Sequence, residues 1–267
     1  MDLKSNIKSK EITQINNTYL VRDNILKSSL FRDAFIDITI TSPPYNVGID
    51  YATHDDEISY SEYMKFTRKW LQNVFKWTKD GGRLFLNVPL DKNKGGRQSV
   101  GADITIIAKS IGWQYFSTII WNEGNISRRT AWGSWLSATA PHVIAPVELI
   151  IILYKTEWKR EKNNRTSDIE RDDFIKWTNG VWTFNGESKK RIGHPAPFPR
   201  ELPKRCIKLF SFKEDVIFDP FVGSGTTLVE AISLGRTSVG VDIDQDYIAL
   251  AKDRINKEVS DIFEGVV

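Results

Sequence analysis

An α/β fold with a largely parallel sheet is predicted by three observations on this chain of 267 residues. Apolar, β-branched segments such as FIDITI (35–40) and VELIIILY (147–154) alternate with segments of helical spacing. Glycine or acidic residues stand at the ends of several of these strands. A proline loop, TSPPYN (41–46), closes one of them. In such a sheet ligands bind beyond the C-terminal strand ends, so that loop marks where a site belongs.

The elements follow in order. NTYLV and then RDN read as a short strand with Asp23 at its end, and Phe35 to Ile40 as a buried strand. From Ser61, a plausible N-cap, SEYMKFTRKWLQNVFKWT places Tyr63, Phe66, Trp70, Val74 and Trp77 on one face of an amphipathic helix, where they read as core. GGRLFLNVPL is a turn and strand, ADITIIAKSIG a helix with a glycine stop, WQYFSTIIW a strand, and PVELIIILYK the last strand of this half. Residues 156–191 are polar and basic, with Trp158, Trp177 and Trp182 spaced among the charges. They read as a small excursion from the sheet whose tryptophans pack in a core. HPAPFP then leads into a helix, and DVIFDPFVGSGTT and TSVGVDID are two short strands with helices after them.

Composition bounds the class. With 40% hydrophobic and 27% charged residues, no apolar run of about 18 residues and a polar N-terminus, the chain is expected to be globular and cytoplasmic, with no membrane partner. A single cysteine, Cys206, excludes an intramolecular disulfide framework and a thiolate cluster; PKRCIKLF places it on the buried face of a helix. His54, His142 and His194 are too scattered for a metal site. The net charge of +3 is compatible with a polyanionic partner without requiring one.

In DPFVGSGTT (219–227), Gly223 and Gly225 allow a tight strand-to-helix turn and close approach of a ligand to a helix N-terminus. The P-loop lysine and the third glycine of the dinucleotide fingerprint are both missing. Asp242 ends the next strand, where an acid accepts bonds from ribose hydroxyls. These parts make a nucleoside-binding half that lacks its third strand. The N-terminal strand ending in Asp23 supplies it if the fold is circularly permuted. In TSPPYN, Pro43 and Pro44 have no N–H and stiffen an acceptor-rich backbone. Ser42 adds an acceptor, and Tyr45, read as exposed, can stack on a base. Such a loop suits an exocyclic amine whose lone pair must be localised, on a base flipped out of its duplex.

TSPPYN followed by DPFVGSGTT, with HPAPFP leading into the second, resembles the β-class of amino-methylating DNA methyltransferases over most of the chain. The resemblance implies a Rossmann-like, S-adenosylmethionine-dependent methyltransferase fold, circularly permuted, with a target-recognition insertion. It divides one domain into a catalytic half (1–154), a target-recognition region (155–191) and a donor-binding half (192–267). Ser42, Pro43, Pro44 and Tyr45 map to the catalytic motif. Phe221, Gly223, Gly225 and Asp242 map to the donor site, which is expected to include Asp23, Asp219, Pro220, Thr226, Thr227 and His194. Asn46, Arg128, Arg129, Lys189 and Lys190 are expected at double-stranded DNA, the basic loop NISRRTAWGSW having solvated arginines as its alternative. Serine in the motif resembles cytosine-N4 enzymes, with adenine-N6 methylation as the alternative. A cytosine-C5 enzyme would need a cysteine nucleophile. The resemblance also admits a homodimer and a cognate restriction endonuclease. A nucleotide-dependent oxidoreductase, a noncatalytic nucleotide-binding module, and a methyltransferase of RNA or protein are the other readings.

Overall fold

The computed structural model describes residues 3–45, 58–91, 98–124, 133–141, 147–187 and 198–265. Sixteen elements occur among them, in the order α1 (Leu3–Asn6), β1 (Ile12–Ile15), β2 (Thr18–Arg22), β3 (Ile36–Thr41), α2 (Tyr60–Trp77), β4 (Thr78–Pro89), α3 (Val100–Ile111), β5 (Gln114–Asn122), β6 (Val147–Tyr154), α4 (Arg171–Trp177), β7 (Val181–Thr183), α5 (Glu201–Phe210), β8 (Val216–Asp219), α6 (Thr226–Ser233), β9 (Thr237–Asp242) and α7 (Gln245–Phe263). The strands form one sheet in the order β1-β2-β9-β8-β3-β4-β6-β5-β7. From β2 to β4 every neighbour is parallel. The last two strands of the chain therefore lie between β2 and β3, the arrangement expected of a circularly permuted sheet.

Two features on the β7 side of the sheet add to the expected, largely parallel layout. The strand β6 runs antiparallel to both β4 and β5. A strand buried among neighbours is apolar throughout whichever way it runs, so VELIIILY carries no sign of its direction. The segment after β6 returns to the sheet: beyond α4, β7 pairs with β5 as the outermost strand. Trp177 and Trp182 are buried against Ile38, Ile40, Phe85, Leu202 and Cys206, with Trp158 at the margin. They pack in the main core rather than in a core of their own.

The helices lie on both faces. The residues Tyr63, Trp70, Leu71, Val74 and Trp77 of α2 are buried with Leu84, Leu86 and Val88 of β4, as the helical spacing predicts; Phe66 is partly buried. On the other face α5 contributes Leu202, Cys206 and Ile207. A third cluster joins Leu228 and Val229 of α6 to Ile248, Ala251 and Ile255 of α7. Among the described residues no helix is long and apolar enough to cross a membrane.

The cap of α2 is Ser59, not Ser61. The Ser59 side chain accepts from the Glu62 N–H at 3.2 Å, and Glu62 Oε2 accepts from the Ser59 N–H at 3.2 Å. This reciprocal box satisfies two otherwise orphaned donors; Ser61 is already inside the helix. Ser59→Ala is expected to cost about 1 kcal/mol, read as a small fall in the midpoint of urea unfolding.

Candidate active site

The chain leaves β8 through α6 towards β9, and leaves β3 through α2 towards β4, in opposite directions across the sheet. Since β8 and β3 are neighbours, their C-terminal ends form the switch point at which open α/β sheets bind ligands. The two motifs found in the sequence begin there. They are pinned together: Thr41 Oγ1 donates to Asp219 Oδ1 at 2.8 Å. The Phe221 N–H donates to the same oxygen at 3.1 Å. Asp219 is 1% exposed. Burial pushes its carboxyl up to about 7 against the bonds from Thr41, Thr227 and Phe221, with Asp242 adding to the rise. This carboxyl joins the halves of the site from below.

The donor half is fixed by backbone bonds. Gly223 (φ 46°) and Gly225 (φ 79°) are left-handed, a conformation costly for other residues. The Gly223 N–H donates to Asp242 Oδ2 at 2.9 Å, and the Asp244 N–H to Asp242 Oδ1 at 3.0 Å. The Val222 N–H reaches Val241 O at 2.9 Å. Gly225 is the N-cap of α6 and brings no side chain to it. From α7, Arg254 donates to Ser224 O and, at 3.1 Å, to Thr226 Oγ1. Phe221 meets Trp70 of α2 edge-on at 5.3 Å, tying the turn to the opposite face.

Asp242 thus holds the turn through backbone bonds from Gly223, Asp244 and Ile243, which leaves about one of the four acceptor sites of a carboxylate for a ligand. It is half-buried at a strand end, and burial raises its pKa. Asp23 ends the adjacent strand: its N–H donates to Asp242 O at 3.0 Å, and its carboxylate takes Lys27 at 2.5 Å and the Asn24 N–H at 2.7 Å. Pro220, Thr226 and Thr227 are buried, with Thr227 Oγ1 directed to Ile40 O at 3.4 Å. A glycine turn against a helix start, with two acids at neighbouring strand ends, fits a nucleoside bearing free hydroxyls.

The catalytic half departs from expectation at Tyr45. The sequence reads this ring as exposed; it is 9% exposed and belongs to the core cluster on the α2 face. The hydroxyl meets polar partners that make burial tolerable. Ser42 Oγ lies 2.6 Å from Tyr45 Oη, Tyr45 Oη donates to Glu148 Oε2 at 3.2 Å, and Asn87 Nδ2 donates to Tyr45 Oη at 3.0 Å and also to Glu148 Oε2. Ser42 and Pro44 are half-buried and Pro43 is buried. Burial pushes the Glu148 carboxyl up to about 7 against the bonds from Asn87 and Tyr45, and Glu123 adds to the rise. Sequence reasoning missed Asn87 and Glu148. Their signal was present: each is a lone polar residue in an otherwise apolar strand, LFLNVPL and PVELIIILY, where polar groups are rare without a partner.

Asn46, Arg128, Arg129, Lys189, Lys190 and His194 lie outside the described residues. Cys206 is fully buried and its thiol is pushed up by burial, opposite to the shift that makes a nucleophile. In the segment after β6, Arg160 donates to both oxygens of Asp215 at 2.6 and 2.8 Å and to Asp37 at 3.2 Å. This arginine is spent inside the protein.

The geometry at the switch point is that of an α/β protein in which a proline loop and a glycine turn meet at neighbouring strand ends. A family model described as DNA methylase matches residues 36–253, spanning both motifs, and the chain belongs to that family. The chain is 56% identical over 179 residues to the type II methyltransferase M.MjaVI of Methanocaldococcus jannaschii, covering 67% of this chain and 91% of that one. Among solved structures, a DNA modification methylase of Thermus thermophilus, TTHA0409, complexed with S-adenosyl-L-methionine, is 27% identical with a TM-score of 0.71, over 90% of this chain and 93% of its own. The PvuII cytosine-N4-specific DNA methyltransferase is 20% identical with a TM-score of 0.68 over 94% of each, a likeness of fold. The expected methyltransferase architecture is therefore present.

Proposed function

We propose that this chain transfers a methyl group from S-adenosylmethionine to the exocyclic N4 amine of a cytosine flipped out of a specific duplex sequence, as the modification enzyme of a restriction system. The observation that carries the reading is the position of Ser42, Pro43 and Pro44 at the end of β3, one hydrogen-bonded step, Thr41 to Asp219, from the glycine turn. Asp242 and Asp23 receive ribose hydroxyls, and Phe221, Gly223 and Gly225 shape the wall that the donor meets. The bound donor supplies an electrophilic methyl on a sulfonium. Ser42 Oγ and the proline-loop carbonyls accept from the amine, localising its lone pair for attack and stabilising the positive charge that grows on nitrogen. Serine at position 42, rather than aspartate, supports cytosine over adenine. Residues 155–191 supply the sequence-reading surface, and the basic loops hold phosphates, so DNA binding weakens steeply with salt.

Incubation with unmethylated duplex DNA and isotopically labelled S-adenosylmethionine, followed by digestion to nucleosides and mass spectrometry, tests this. Labelled N4-methylcytosine is the expected product. Labelled N6-methyladenine overturns the base assignment and leaves the mechanism. Label in neither base, with donor binding demonstrated, overturns DNA as substrate.

A further inference from the structure

The chain of hydroxyls behind Ser42 ends in a carboxyl that the methyl-transfer reading does not use. Glu148 enters from β6, which the antiparallel pairing with β4 sets against Pro89 and beside Asn87. Tyr45 Oη donates to Glu148 Oε2 at 3.2 Å, and Asn87 Nδ2, donating to both Tyr45 Oη and that same oxygen, holds the two in register. The proton on Tyr45 is thereby directed to the carboxylate. Across the 2.6 Å contact between Ser42 Oγ and Tyr45 Oη, the serine must then be the donor. A hydroxyl has one proton and two lone pairs, so Ser42 is left with its acceptor capacity for a substrate.

We infer that Glu148 is a positioning residue and terminal proton acceptor of the reaction, acting on the amine through Tyr45 and Ser42. The inference rests on amine methylation as the function. The nitrogen lone pair forms the N–CH3 bond while the C–S bond breaks and its electron pair stays on sulfur, leaving the nitrogen cationic. The nitrogen then loses one proton to Ser42 Oγ, Ser42 passes its own to Tyr45 Oη, and Tyr45 passes its own to Glu148. Ser42 and Tyr45 end neutral, the product amine is neutral, and Glu148 carries the proton until solvent removes it. Among the described residues, the titratable groups acting on Glu148 are Glu123, which follows β5, and Tyr45. With its carboxyl held near 7, Glu148 is a better acceptor than an ordinary carboxylate. Its working form is the ionised one, so kcat rises with pH through about 7.

The test compares the pH dependence of kcat for wild type, Glu148→Gln, Tyr45→Phe and the double variant, using labelled S-adenosylmethionine and duplex DNA with the methylated nucleoside identified. Glu148→Gln and Tyr45→Phe are each expected to lower kcat about tenfold, less than the about 10²–10⁴ of a direct proton acceptor. Both lose the rising limb near pH 7, keep donor affinity and KM for DNA, and combine without further loss. Glu148→Asp restores part of the limb. An unchanged limb in Glu148→Gln, or multiplying losses in the double variant, overturns the inference. Should Glu148→Gln fail to fold, Tyr45→Phe with its limb intact overturns it as well. N6-methyladenine from the wild type refutes the base assignment alone, because either amine must lose the same proton; no methylated base at all refutes the function and this inference together.

Discussion

Replacing Asp168 with alanine is expected to lower the stability of the protein by about 3–5 kcal/mol and its melting temperature by on the order of 10 °C. Arg236, which leads into β9, has a side chain with no solvent exposure. Its Nη1 and Nη2 donate to the two oxygens of Asp168 at 2.6 and 2.5 Å, and Lys208 reaches Asp168 at 3.1 Å. Removing the carboxylate leaves a buried guanidinium with no counter-charge at its two Nη atoms and only the neutral acceptors Leu234 O at 2.7 Å and Ser211 Oγ at 3.4 Å, which is why breaking such a pair costs more than the pair contributes. Truncating both partners, Asp168→Ala with Arg236→Met, should therefore recover part of the loss. Burial pushes Asp168 up, but Arg236 and Lys208 outweigh it and hold the carboxyl down at about 2, from 3.8. A carboxyl whose folded pKa is depressed stabilises the fold above its unfolded pKa, and that contribution fades as pH falls through the folded value. Thermal melts should show the gap between wild type and variant fully open at pH 7 and narrowing between about pH 4 and pH 2. A gap under about 2 °C at pH 7 would mean that the neutral acceptors Leu234 O and Ser211 Oγ suffice for Arg236.

The same pair shows what a sequence reader can and cannot see. Asp168 lies in the polar stretch after β6 and Arg236 beyond the glycine turn, and no local pattern links residues so far apart. The basic stretch read as an excursion from the sheet, yet Arg160 and Asp168 are both engaged in ion pairs, with Asp215 before β8 and Arg236 before β9. What was legible was local: helical spacing in α2, the strand that meets two prolines, and the glycine turn with an acid one strand later. These patterns report on neighbours in the chain, and the structure keeps them. Sheet position was legible only through an argument about a missing third strand, which placed β2 beside β9. Strand direction at β6 was not legible, because a strand covered on both faces is apolar whichever way it runs. Tyr45 was misjudged because a proline loop says nothing of what lies behind it; the polar partners that receive its hydroxyl arrive from β4 and β6.

Gly225→Val should abolish measurable methyl transfer at ordinary donor concentrations while leaving most of the sheet folded. Two costs meet at this position. The backbone is left-handed (φ 79°), which costs a residue with a Cβ about 1–2 kcal/mol. A Cβ here would also stand 2.9 Å from the Ala251 Cβ and 3.2 Å from its Cα, and the α7 backbone cannot step aside as a flexible side chain would, adding about 1–3 kcal/mol. The turn relieves the strain most readily by moving away from α7, which carries the start of α6 and the Gly223 to Asp242 bond with it. If the competent turn becomes a minor state by even about 2 kcal/mol, donor affinity falls about 30-fold, since 1.4 kcal/mol is tenfold. Gly235 supplies the control. Its φ is 73°, and a Cβ there meets nothing within 4 Å, so Gly235→Val bears the backbone cost without the collision and lies at the other end of α6. Donor affinity measured by calorimetry should be near wild type in the Gly235 variant and lost in the Gly225 variant. Equal losses in both would mean that backbone strain alone disables α6, and that contact with Ala251 does not set the turn.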